Sequence, residues 1–237
     1  MLRAIIFDFD GIVADNEPIH CAMFQRVLGE IGLFMSKEEY YADYLGYDDK
    51  GCFAAFLTAH DRPFSQTTID ELVARKAQAY LDYIKQHLVI CPGVRELVRE
   101  AAGHYRLAIA SGALRQEIEF ILEQAGIRKE FQHVTSAEDI TRGKPDPESF
   151  LHALAALNRL GPAGQPAIKS EDCLVIEDSI PGIRAGHAAG MKVLAVANTH
   201  PIQDLHKAEA VTPSLADVNL SELARKLWDN GKRSLAQ

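Results

Sequence analysis

The chain opens with an unbroken apolar run, Ala4-Ile5-Ile6-Phe7, which gives way to Asp8-Phe9-Asp10-Gly11. A short apolar run ending at an Asp-Gly turn pair predicts a buried strand. Side chains alternate along a strand, so Asp8 and Asp10 are expected on the same side. After Gly11 the pattern becomes helical. Ile19, Met23, Phe24, Val27, Leu28 and Ile31 recur at spacings of three and four, predicting a helix over 18–31 that Gly32 stops. Two more helical segments follow, about 50–60 and 67–87, separated by Asp61-Arg62-Pro63, with Thr67 or Thr68 as N-cap of the second. Between residues 15 and 88 no strand pattern is found.

From Pro92 onward, strands and helices alternate. Helices are predicted over 93–102, 115–125, 147–160, 181–189 and 220–229, and strands over 106–110, 131–135, 173–176 and 192–196, with a weak last strand at 210–211. Residues 161–166 (GPAGQP) read as a surface loop. Alternation at these lengths implies an α/β fold, with a Rossmann-like parallel sheet covered on both faces. The first strand belongs to that sheet. Residues 15–88 are therefore expected to be an inserted α-helical cap domain, and residues 1–14 and 89–237 the core domain.

Composition narrows the class. With 25 basic and 33 acidic residues the formal charge is −8, which argues against a nucleic-acid partner. No apolar stretch approaches the roughly 18 residues of a membrane span, and the N-terminus runs directly into a strand with no leader pattern. Cys21, Cys52, Cys91 and Cys173 are far apart and form no CxxC, and Cys91 and Cys173 adjoin apolar runs as buried thiols would. A reducing, cytoplasmic setting is expected, with no membrane association and a monomeric or homodimeric protein.

In open parallel sheets, ligands sit at the C-terminal ends of the strands. Strand one ends in Asp8 and Asp10, the 106–110 strand in Ser111-Gly112, and the 173–176 strand in Glu177-Asp178-Ser179, while Gly143-Lys144-Pro145-Asp146-Pro147 precedes a helix. A carboxylate can attack phosphorus, a second can carry a proton, and Ser111 with nearby backbone N–H groups can bind phosphate oxygens. Lys144 can neutralise charge, and several carboxylates facing a phosphate call for a hard divalent cation such as Mg²⁺. Ser111 could equally be a helix N-cap. Gly182 and Gly186 suit close helix–sheet contact.

DFDG at 8–11, Ser111 after a short apolar strand, GKPDP at 143–147, and VIEDS followed by PGIRAGHAAG resemble the four motifs of the haloacid dehalogenase superfamily. The resemblance runs from residue 3 to about residue 197. The insertion is similar to the helical cap of the subfamily containing phosphoglycolate phosphatases, CbbY-type sugar phosphatases and β-phosphoglucomutases. The resemblance implies Asp8 as nucleophile and Asp10 as acid/base. It implies Asp8, the Asp10 carbonyl and Asp178 as Mg²⁺ ligands, with Glu177 either a ligand through water or a support behind the ligands. Ser111, Gly112 and Lys144 would hold phosphate. On the cap side, Glu17, His20 and Lys76 match positions near substrate, with a solvated or polar helix face as the alternative for His20 and Lys76.

The implied activity is Mg²⁺-dependent hydrolysis of a small phosphorylated metabolite, such as a sugar or polyol phosphate, through an aspartyl phosphate. Two departures weigh against a mutase. Ser111 is followed by Gly112-Ala113, without the second hydroxyl, and Asp48-Asp49 stand where the mutase cap carries an arginine. Arg115 and Lys50 are the candidate replacements for the missing positive charge. A sugar phosphate mutase and a non-catalytic binding protein remain the alternatives.

Overall fold

The computed structural model describes residues 1–162 and 164–229. Residue 163 of the 161–166 loop, and 230–237 at the end of the expected core, lie outside the described residues. Strand β1 (Ala4–Phe7) is followed by helices α1 (Glu17–Glu30), α2 (Lys37–Glu39), α3 (Asp49–Ala59) and α4 (Gln66–His87). Then come α5 (Val94–Ala102), β2 (Arg106–Ala110), α6 (Arg115–Ala125), β3 (His133–Thr135) and α7 (Glu148–Arg159). The chain continues with β4 (Cys173–Glu177), α8 (Ile180–Ala188), β5 (Lys192–Val196), β6 (Ala210–Thr212) and α9 (Leu220–Ala224).

The strands form one sheet in the order β3-β2-β1-β4-β5-β6, every neighbouring pair parallel. Both faces are buried, which is why these strands read as apolar runs. Ile5, Phe7, Leu107, Ile109, Leu174 and Ile176 pack on one face, and Ile6, Ala108, Val175 and Val193 on the other. β1 lies between β2 and β4, where strand order reverses. Register sets Phe7 level with Ile109 and with Ile176, so the residues that follow these three strands emerge together.

The helices between β1 and β2 build an apolar cluster of their own from Phe24, Tyr40, Phe53 and Phe56, among others. Met23, Tyr80 and Ile84 instead join the cluster on the sheet. The two connections run side by side, with Cys91 N–H donating to the Val13 carbonyl and Asp15 N–H to the Val89 carbonyl.

Local chemistry moves several expected boundaries. The N-cap of α4 is Ser65, whose Oγ accepts from Thr68 N–H, so neither Thr67 nor Thr68 is the cap. Pro147 is the N-cap of α7 and not inside the helix. The last turn before Leu45 is a π-helix, Tyr40–Tyr44, in a stretch with no predicted element. β3 starts at His133, two residues later than expected. All four cysteines are free and buried, and among the described residues no helix is long and apolar enough to cross a membrane.

Candidate active site

β1 ends at Phe7, so strand alternation is not what places Asp8 and Asp10. Asp8 remains tied to the sheet, its N–H donating to the Ile176 carbonyl at 2.9 Å. Its carboxylate lies 2.6 Å from Lys144 Nζ, which also lies 2.6 Å from Glu177 Oε1. Asp10 sits beyond the strand in the turn. Its Oδ1 accepts from Asn16 Nδ2 at 2.6 Å and lies 3.4 Å from His20 Nε2. Both aspartates line the same cavity of about 530 Å³, but different partners hold them.

Gly11 makes this approach possible. Its φ of 74° is left-handed, and a Cβ there would overlap the Asp178 carboxylate. Its carbonyl accepts from Asn198 Nδ2 at 3.0 Å. Asp178, just past the end of β4, accepts from Thr199 Oγ1, just past the end of β5.

Asp8, Glu177 and Asp178 bring one carboxylate oxygen each within 4.8 Å of one another. Burial and the Glu177 charge push both Asp8 and Asp178 well above the ordinary carboxylate range. Among the described residues Lys144 is the one lysine or arginine paired with this cluster, and although burial lowers its pKa, Asp8 and Glu177 raise it overall. Hard oxygen donors short of positive charge are the chemistry of a Mg²⁺ site, so this donor set fits that ion. Glu177 is engaged on both oxygens: Oε1 with Lys144, and Oε2 by the N–H groups of Asp178 and Ser179 and the Ser179 hydroxyl. That suits a support behind the ligands, the second of its two expected roles. A Cβ at Gly182 would overlap the Glu177 carboxylate, and one at Gly186 would press on Val193, so both glycines do serve close packing.

Ser111 and Gly112 line the cavity after β2. Ser111 is not the cap of α6: the N-cap is Leu114, and Ser111 Oγ accepts from Ala113 N–H at 3.0 Å. Ser111 N–H is fixed by the Thr135 carbonyl, aligning the loop with β3.

Glu17, His20 and Lys76 also come together, the first two lining the cavity. The Glu17 carboxylate accepts from the Tyr40 hydroxyl at 2.5 Å. His20 is buried and stacked on Tyr80. Lys76 is no solvated face: it is 0% exposed, 2.6 Å from His20 Nδ1 and 2.5 Å from Asp49 Oδ1. Burial pushes Asp10 up, but His20, the Asn16 hydrogen bond and the Lys76 charge outweigh it and leave Asp10 below its ordinary value. Burial and Lys76 push His20 down, but Asp10 and Glu117 raise it overall.

The candidate replacement cations do not reach the cavity. Arg115 is bound to Asp139 and the Val134 carbonyl, and Lys50 faces Asp70 at 3.4 Å. Among the described residues, Lys144 is the only lysine or arginine lining the cavity, whereas Asp48, Asp49 and Glu117 all line it. Sequence reasoning did not single out Asn16, Glu117, Asn198 or Thr199.

The chain is similar to several known proteins. The sequence model of the haloacid dehalogenase-like hydrolase family matches residues 5–196. Protein CbbY of Rhodobacter capsulatus is 30% identical over 200 residues, covering 81% of this chain and 84% of that protein. Hexitol phosphatase B of Escherichia coli is 27% identical, covering 94% of this chain and 93% of its own length. The crystal structure of β-phosphoglucomutase from Clostridium difficile superimposes with a TM-score of 0.85 at 22% identity, over 98% of this chain and 100% of that one.

Proposed function

This chain belongs to the haloacid dehalogenase-like hydrolase family, and we propose that it is a Mg²⁺-dependent phosphatase. Its substrate would be a small phosphorylated metabolite, a sugar or polyol monophosphate. The observation that carries this reading is the convergence of Asp8, Lys144 and Ser111 with Asp178 and Glu177 at the strand-order reversal. The relatives named for sugar-phosphate chemistry support the substrate class.

In this reading the helices over residues 15–88 form a cap domain on a core of 1–14 and 89–237, and closure of the cap excludes bulk water. Asp8 attacks phosphorus and forms an aspartyl phosphate. Lys144 and the Ser111 hydroxyl hold the phosphoryl oxygens, with the backbone N–H of Gly112 beside them. Mg²⁺ bound by the Asp8 and Asp178 carboxylates and the Asp10 carbonyl would neutralise charge on those oxygens. Thr199 holds Asp178 in place.

Asp10, held by Asn16 and 3.4 Å from His20 Nε2, gives a proton to the leaving oxygen as its bond to phosphorus breaks. Asp10 then returns as a carboxylate and takes a proton from the water that hydrolyses the aspartyl phosphate. The carboxylate form is the one its Asn16 and His20 contacts favour.

One fixed cation in the cavity suits one phosphate. A mutase must hold two, and Asp48, Asp49 and Glu117 line the cavity where, among the described residues, no lysine or arginine but Lys144 does, and Lys76 behind Asp49 is already engaged by it. The test is phosphate release from p-nitrophenyl phosphate and from a panel of phosphorylated metabolites, with and without Mg²⁺, by wild-type and Asp8→Asn protein. Turnover is expected from wild type only. Undiminished activity in the correctly folded Asp8→Asn protein would overturn the mechanism.

A further inference from the structure

Away from the carboxylate cluster, the cavity wall carries buried polar atoms that the protein leaves unsatisfied. Glu117, on α6, is 2% exposed and lines the cavity, and its Oε1 has no hydrogen-bond partner among the described residues. Asp49, at the start of α3, gives Oδ1 to Lys76, yet its buried Oδ2 also has no partner among them. The two carboxyls belong to one electrostatic neighbourhood, each acting on Lys76 and Asp49 acting on Glu117.

Buried acceptors without donors are rare in folded proteins, because each bears its full desolvation penalty. Here both belong to residues that line a space large enough for a ligand. An alcohol hydroxyl is the donor that satisfies such an acceptor. A phosphate or carboxylate offers no donor and adds like charge in a desolvated setting.

Resting on the phosphatase reading, we propose that Glu117 and Asp49 form the recognition site for hydroxyl groups of the leaving alcohol, and that this pair makes the enzyme prefer neutral polyhydroxylated monophosphates to bisphosphates. Discrimination of this kind arises where a substrate lacking the hydroxyl leaves buried polar groups unpaired. Neither residue touches phosphorus, so the pair acts on which alcohol is accepted and not on the bond being broken.

The test compares wild type, Glu117→Gln and Glu117→Leu on three substrates: a hexitol 6-phosphate, p-nitrophenyl phosphate (which has no hydroxyl) and fructose 1,6-bisphosphate. Glu117→Leu is expected to lower kcat/KM for the hexitol phosphate at least tenfold more than for p-nitrophenyl phosphate, mainly through KM. Glu117→Gln keeps the shape and removes the charge, so the bisphosphate should gain at least tenfold relative to the hexitol phosphate, even if the leucine variant does not fold. Variants that shift all three substrates by one common factor, or by none, overturn the recognition role while leaving the phosphatase reading intact. A wild-type protein that releases phosphate from none of the three overturns that reading, and this inference with it.

Discussion

The buried ion pair between Lys76 and Asp49 offers a measurable stake for the helical insertion. Lys76 Nζ lies 2.5 Å from Asp49 Oδ1 and 4.8 Å from the centre of the Phe24 ring, on a side chain with 0% exposure, while the Asp49 side chain keeps 17%. Replacing Lys76 by Met preserves most of the volume but leaves Asp49 and Glu117 without their cation. Removing one partner of a buried pair costs about 3–5 kcal/mol. The residual exposure of Asp49 lets water recover part of this, so about 3 kcal/mol is expected. At roughly 2–4 °C per kcal/mol for a chain of this size, Tm should fall by about 6–12 °C. Removing both charges together, Lys76→Met with Asp49→Asn, should restore most of the loss, because no stranded charge remains on Asp49. The assay is denaturant and thermal unfolding of the wild type, both single variants and the double variant at one pH. A Lys76→Met protein within about 1 kcal/mol of wild type, or a double variant as unstable as the sum of the singles, would refute the reasoning.

Burial raises the Glu117 carboxyl from 4.5 to about 7, against the pull of Lys76. The folded value is above the unfolded one, so Glu117 weakens the fold increasingly as pH rises from about 4.5 through about 7, by about 3 kcal/mol at the plateau. Glu117→Gln should therefore gain Tm over wild type between pH 5 and pH 8, and parallel Tm profiles would contradict this. Gly182→Ala drives a Cβ into the Glu177 carboxylate, so a loss of about 1–3 kcal/mol is expected on unfolding, together with reduced turnover as Lys144 loses its support. Ser111→Ala leaves Ala113 N–H without its acceptor; about 1 kcal/mol of stability and about tenfold or more in kcat/KM should be lost. Adding Mg²⁺ to chelator-treated protein should raise Tm as well as restore turnover, since an ion bound only by the folded state stabilises it; an unchanged Tm at millimolar Mg²⁺ would count against the Asp8–Asp178 site.

The sheet was legible because each parallel strand announces itself as an apolar run and each run ends in chemistry. Asp8 and Ser111 follow, and Glu177-Asp178 end and follow, three adjacent strands in register, and the strand-end argument brings them together without knowledge of any contact. The same argument applied to β5 would have found Asn198 and Thr199, which follow Val196 and hold Gly11 and Asp178. Lys76 also had a signal. It follows Ile69, Leu72 and Val73 at helical spacing and precedes Tyr80 by four, so it lies on the buried stripe of α4 and not on its wet face. Glu117 had no such signal. Its position on α6 is ordinary for an acidic residue in a first turn, and what marks it is burial close to Lys76, Asp49 and His20, which are remote from it in sequence.

Two aspartates two positions apart end up with opposite electrostatics, and the end of the strand before them and the turn after them are the reason. Had β1 continued to Asp10, both carboxylates would have faced the same crowd of acids, and both would have been pushed upward. Because the strand stops at Phe7 and Gly11 takes a left-handed conformation, Asp8 stays among Glu177, Asp178 and Lys144, while Asp10 is delivered to Asn16 and His20. The first setting is short of positive charge and suits an acid that works beside a divalent cation. In the second, Lys76 is shared between Asp49 and His20 Nδ1, and Asn16 and His20 Nε2 face Asp10, so the groups there balance one another. The cation-poor side belongs to the sheet and the balanced side to the helical insertion. The proposed nucleophile therefore draws its environment from the core, and the proposed proton carrier from the cap. Any motion of the insertion would change the partners of Asp10 while leaving those of Asp8 in place, which is the asymmetry that a step timed by closure requires.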